Sequence, residues 1–144
     1  MTVVAFRDDV LASDSLSTSV HGWRTGALQK IYDLGSGVFA ATVGYAPHAL
    51  ELLAWFRAGR TVTQPAALDD DRTGTLVVFE PHGEIVIYEN GCQQPEGVAL
   101  FHAYGAGAEI AIGAMHMGAT AEEAVLAGIE HHTQCGGPVQ VLRR

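Results

Sequence analysis

Residues that favour extended chain fill Thr2 to Arg7 (TVVAFR) and Val10 to Ser13 (VLAS), with the turn-prone pair Asp8-Asp9 between them. This predicts a β-hairpin that starts at the second residue. Gln29 to Leu34 (QKIYDL) and Gly37 to Val43 (GVFAATV) repeat the pattern across Gly35-Ser36, so a second hairpin is expected and four strands precede any helix. From Pro47 the period changes. Ala49, Leu50, Leu52, Leu53 and Phe56 share one helical stripe, Pro47 suits the first turn, and Gly59 ends the segment. Arg60 to Gly74 has no sustained period and reads as a loop.

Thr75 to Phe79 and Glu84 to Tyr88 form a third expected hairpin around Pro81-His82-Gly83, and Val98 to Tyr104 one further strand. Gly105-Ala106-Gly107 then leads into a helix through Ala108, Ala111, Ala114 and Met115 that Gly118 stops. Thr120 then starts another helix: its hydroxyl and Glu123 have the spacing of a capping box, and Ala124, Val125, Gly128 and Ile129 carry the inward face to about Thr133. Gly136-Gly137-Pro138 breaks it, and Val139 to Leu142 is the last strand. Hairpins with helices segregated between them predict an α+β fold of antiparallel sheets covered by helices.

Composition narrows the partners. At 144 residues, 48% hydrophobic and 17% charged, the chain is expected to form one globular domain over residues 1–144. A formal charge of −8 without any Lys/Arg cluster repels phosphate backbones and anionic lipid, so neither a nucleic-acid nor a membrane partner is expected. No basic leader and no apolar run of spanning length appears, which points to the cytoplasm. Cys92 and Cys135 are read as reduced thiols. His131, His132 and Cys135 are the tightest group of metal-type ligands, but no second pair accompanies them, so no metal is expected, and nothing calls for a cofactor. Gly105-Ala106-Gly107 lacks the third glycine and the Lys-Ser/Thr of a nucleotide loop, and Asp69-Asp70-Asp71 lacks the alternation of a calcium loop.

The residue that changes the picture is Thr2. Methionine aminopeptidase trims Met1 before a small residue, and the chain would then begin with a threonine that carries a hydroxyl nucleophile and an α-amine on one residue. Such an amine, with a reference pKa of about 7.7 to 8.0, accepts the hydroxyl proton near neutral pH. While Met1 remains, the same nitrogen is an amide and no base.

Asp14-Ser15-Leu16-Ser17-Thr18, Lys30 sixteen positions after Asp14, and Thr42-Val43-Gly44 resemble the successive signatures of proteasome β-subunits and of the HslV peptidase. Tyr104-Gly105-Ala106-Gly107, the stretch Met117 to Ala124 and Cys135-Gly136-Gly137-Pro138 resemble the C-terminal half of that family in order and character. The resemblance covers nearly the whole chain. It implies an N-terminal-nucleophile hydrolase fold, an αββα-type four-layer sandwich of two antiparallel sheets. Family members place a second helix after the first, and here only the loop Arg60 to Gly74 fills that interval, so one helical layer should be reduced.

The same resemblance implies a threonine-type peptidase. Thr2 would be the nucleophile, Lys30 would favour its alkoxide-like state, Asp14 would hold Lys30, and the Gly44 N–H would form the oxyanion hole. Thr18 would pair with substrate main chain, while Ser17 and Thr42 would line the pocket for the residue before the cut. Peptide or unfolded protein would be the substrate, a homo-oligomeric ring the assembly, and an ATP-dependent unfoldase a partner. Three positions depart from the family: Ala106 where a serine is common, His132 where aspartate is common, and Cys135 where serine is common. These departures leave room for a catalytically silent protein of the same fold with a role in assembly or scaffolding.

Overall fold

A computed structural model describes residues 1–144. Six strands come first: β1 (Val4–Arg7), β2 (Val10–Ser13), β3 (Leu16–Thr18), β4 (Arg24–Ala27), β5 (Ile31–Asp33) and β6 (Phe39–Gly44). Helix α1 (Ala46–Arg57) follows, then β7 (Gly74–Phe79), β8 (Ile85–Glu89), β9 (Cys92–Gly97) and β10 (Phe101–Tyr104). Helices α2 (Ala108–His116) and α3 (Ala121–His131) and strand β11 (Gln140–Arg143) complete the chain. All helices are amphipathic layers on antiparallel sheets, so the class is α+β as the sequence predicts.

The chain divides into two compact units, one formed by Met1–Ile31 with Ala99–Arg144 and the other by Tyr32–Val98. The first holds a four-stranded antiparallel sheet in the order β10-β1-β2-β11 and the separate β3–β4 ribbon. Asp8 and Asp9 both adopt positive φ, 51° and 59°, which closes the β1–β2 hairpin with a twist that matches its strands. Helices α2 and α3 cover one face. Val3, Ala5 and Ala12 from the sheet meet Ala111, Met115, Ala121, Ala124 and Val125 from the helices. The small residues let helix and sheet backbones approach closely, and at Gly128 even a methyl would meet the Val3 side chain at 3.0 Å. The capping box forms as predicted, with Thr120 Oγ1 accepting from Glu123 N–H and the Glu123 carboxylate accepting from Thr120 N–H.

The second unit is a five-stranded sheet in the order β5-β6-β7-β8-β9, with α1 on one face through Leu52 and Leu53 against Ala40, Leu76 and Val78. Arg60 to Thr73 carries a single 3-10 turn, Asp70–Arg72, so α1 covers this sheet without a second helix.

Four expectations change. The β3–β4 ribbon was not foreseen, because β4 (RTGA) is exposed throughout and carries no apolar period. Strand β9 (CQQPEG) was missed for the same reason, being a fully exposed edge strand that owes its form to pairing with β8. The strand expected over Val98 to Tyr104 begins only at Phe101, with Val98 and Leu100 exposed. On α1, Leu50 faces solvent and His48 takes a buried place instead.

Candidate active site

Thr2 and Val3 extend β1 toward its N-terminal end. Asp14 N–H donates to the Val3 carbonyl at 3.1 Å, and the Asp14 carboxylate accepts from Val3 N–H at 3.1 Å, so one aspartate closes both sides of the Val3 peptide. On the other flank the Thr2 carbonyl accepts from Gly107 N–H at 3.2 Å. Gly105, at φ +92°, is the residue this approach requires. A Cβ there would lie 2.2 Å from the Thr2 carbonyl oxygen. Thr2 is consequently buried, at 4% exposure.

Lys30 reaches the same place from the segment that precedes β5. Its Nζ donates to Asp14 Oδ1 at 2.9 Å and to the Met1 carbonyl oxygen at 2.9 Å. That carbonyl belongs to the peptide group joining Met1 to Thr2. Asp14 is fully buried and Lys30 is 3% exposed. A pair removed from water in this way needs its remaining valences filled. Asp14 Oδ2 accepts from Gly136 N–H at 3.1 Å, which makes three donors on one carboxylate. The Gly136 contact is one the sequence did not assign; the run Gly136-Gly137-Pro138 signals only a chain break. Burial and then the Lys30 ammonium lower the pKa of the Met1 α-amine below its ordinary value. An amine in this pocket is thereby kept unprotonated to lower pH than in water.

Of the residues that depart from the family pattern, Cys135 is buried beside this cluster, its sulfur 3.1 Å from where a Cβ on Gly107 would stand. Burial, reinforced by the Asp14 charge, raises its thiol pKa, against the opposing pull of Lys30. Ala106 is exposed at the turn before α2. His132 caps the C-terminus of α3, where its Nδ1 accepts from Gln134 N–H and its carbonyl accepts from Cys135 N–H. Its side chain is thus spent on a turn. Ser17 and Thr18 lie half-buried on β3, and Thr25 Oγ1 donates to Ser17 Oγ across the ribbon at 3.0 Å.

Thr42 and Gly44 belong to the second unit, on β6. The Thr42 side chain donates to the Tyr32 hydroxyl oxygen, whose pKa burial raises against that bond. Gly44 ends the strand exposed, at φ +80°, where a Cβ would lie 2.8 Å from the Thr73 carbonyl oxygen. Tyr45 N–H donates to Thr73 O, and in an antiparallel ladder the bonded pairs alternate. Gly44, opposite Gly74, is therefore at a non-bonded pair and its N–H points away from β7. No group of three or more acidic, His or Cys side chains is placed to hold a metal ion, and no helix is long and apolar enough to cross a membrane.

No family model matches the sequence, and no curated protein matches it. Solved structures do match, over the whole chain. Eukaryotic HslV from Trypanosoma brucei superimposes with a TM-score of 0.69 at 15% identity, over 99% of this chain and 99% of that one. BPH from Thiobacillus denitrificans gives a TM-score of 0.67 at 22% identity over 98% of this chain and 95% of its own. The same protein in complex with epoxomicin gives 0.65 at 22%, over 98% and 96%. The polypeptide that sets Asp14 and Lys30 around the Met1–Thr2 peptide group thus has the α+β fold seen in HslV and in BPH.

Proposed function

We propose that residues 1–144 act as one domain, the threonine-type peptidase subunit of a proteasome-like complex, with Thr2 as nucleophile once Met1 is removed. One observation carries the reading: a buried ammonium, held by a threefold-bonded carboxylate, touches the peptide group whose cleavage would release the Thr2 amine. In the processed chain the amine takes the proton of Thr2 Oγ1, and the oxygen attacks a substrate carbonyl. Lys30 stabilises the developing alkoxide and Asp14 keeps Lys30 in place. The Gly44 N–H, turned away from its own ladder, receives the oxyanion. The proton then passes from the amine to the leaving group, and water hydrolyses the Thr2 ester. Ser17, Thr18 and Thr42 hold the substrate strand. The working form is a homo-oligomeric ring in the cytoplasm, fed with unfolded chains by an ATP-dependent unfoldase.

A silent scaffold of the same fold is the second reading. Ala106 offers a methyl where a hydroxyl commonly supports the threonine amine, and in a chain that keeps Met1 the Lys30 ammonium stays bound to the Met1 carbonyl. Intact mass after incubation with epoxomicin, the epoxyketone seen on the BPH fold, separates the two. The peptidase gives the chain less Met1 plus one inhibitor. Assembled protein with a proven Thr2 N-terminus that neither labels nor cleaves a peptide overturns it.

A further inference from the structure

Lys30 is held by more than its side chain. The segment Leu28 to Lys30 belongs to no strand, yet the Leu28 N–H, the Leu28 carbonyl and the Lys30 N–H each have a partner. Gln140, on the edge strand β11, supplies two of the bonds. Its Oε1 accepts from Lys30 N–H at 2.9 Å and its Nε2 donates to the Leu28 carbonyl at 2.8 Å. A primary amide has an acceptor and a donor side by side, as a peptide group does, and so it takes the place a neighbouring strand would have filled. The backbone of Gln140 meanwhile pairs with Ser13, the residue before Asp14. One residue therefore ties the backbone beside Asp14 to the backbone of Lys30, across more than a hundred positions of sequence.

We infer that Gln140 is the positioning residue for Lys30, fixing the main chain from which its ammonium reaches Asp14 and the Met1–Thr2 peptide group. Two other tethers keep the segment folded without it. Leu28 N–H donates to the Ser15 carbonyl at 2.7 Å, and Gln29 Nε2 donates to the Ile31 carbonyl at 3.0 Å. Loss of the amide should hence loosen Lys30 while the fold survives. No such role is available to the shorter apolar side chain of leucine, nor to a carboxylate, which accepts from Lys30 N–H but sets a second acceptor against the Leu28 carbonyl.

The inference rests on the peptidase reading for its catalytic consequence and on hydrogen exchange for its structural one. In assembled protein, Gln140→Leu should speed amide exchange at Lys30 about 10-fold, followed by mass spectrometry of peptides spanning residues 28–31, with the melting transition still cooperative. In the processed enzyme it should lower kcat about 10-fold with KM within about twofold, since a misplaced lysine weakens the transition state rather than substrate binding. Gln140→Glu adds a signature that packing alone does not give. Its deficit in amide exchange relative to wild type at pH 8 should shrink at pH 4, below the reference carboxyl pKa of about 4.3, where the protonated acid donates to Leu28 again. Unchanged exchange in Gln140→Leu, a rise in KM at constant kcat, or an equal deficit of Gln140→Glu at both pH values would each overturn the assignment. Should wild-type protein with a proven Thr2 N-terminus cleave nothing, the peptidase reading falls, and the exchange ratio alone decides whether Gln140 holds Lys30.

Discussion

The two units bury polar groups in different ways. The first puts a full ion pair, Asp14 with Lys30, into its interior, while the second hides only Thr42 and a neutral imidazole, His48. Cations of the second unit stay outside: Arg57 lies over Tyr32 at 5.3 Å, Arg60 lies over Phe56 at 5.2 Å, and Arg72 pairs with the exposed Asp69. Withdrawing each charge from water costs several kcal/mol, and well-packed apolar side chains of the same volume are often at least as stabilising. Folding alone therefore gives no reason for the ion pair, whereas the aromatic and imidazole contacts of the second unit are explained by packing and backbone satisfaction. What the contrast teaches is where to look for chemistry: in the unit that spends stability on charge.

The most damaging way to probe that contrast is to leave one of the charges alone. Asp14→Ala strips Lys30 of its partner and leaves Val3 N–H and Gly136 N–H without an acceptor. A loss of about 3–5 kcal/mol is expected, read as a lower urea midpoint at unchanged m-value. Adding Lys30→Met should return part of it, because the buried ammonium is then gone. A single variant as stable as wild type would show that the pair is not desolvated, and the contrast would fail. In the second unit, His48→Leu tests the milder case. His48 Nδ1 accepts from Gly74 N–H at 2.9 Å and Nε2 lies 3.0 Å from the Pro65 carbonyl, so the ring pins the loop after α1 to the start of β7. Losing both should cost about 1–3 kcal/mol, with faster exchange confined to residues 60–74. A cost equal to that of Asp14→Ala would erase the distinction between the units.

Local signals account for what the sequence revealed. The Asp8-Asp9 and Gly35-Ser36 turns, the Thr120 capping box and the stop at Gly118 each act within a few residues, and each stands where it was expected. Strands β4 and β9 were illegible because an exposed edge strand has no buried face to impose a period; only its neighbour makes it a strand. His48 was passed over for Leu50 since a hydropathy stripe cannot know that two backbone groups await an imidazole. At the site, Asp14 and Lys30 were legible through their spacing and the resemblance it carries. Gln140 was not, for a glutamine on an edge strand looks the same whether its amide meets water or the backbone of Lys30.

The smallest effect concerns Cys135, a neutral group beside the charged cluster. Its pKa is raised first by burial and then by the Asp14 carboxylate, since both disfavour a thiolate. The unfolded thiol ionises near its ordinary value of about 8.5, so above that pH the unfolded chain has shed a proton that the folded chain still holds. Stability from this group is thus complete below pH 8.5 and declines as pH rises toward the folded value. Cys135→Ser keeps the shape and does not titrate in that range. Urea midpoints of wild type and Cys135→Ser, measured between about pH 7.5 and 10, should therefore converge or cross as pH rises, with the wild type falling more steeply. Parallel curves would mean that the sulfur is already solvated, and with it the pocket that lowers the amine and hides the ion pair.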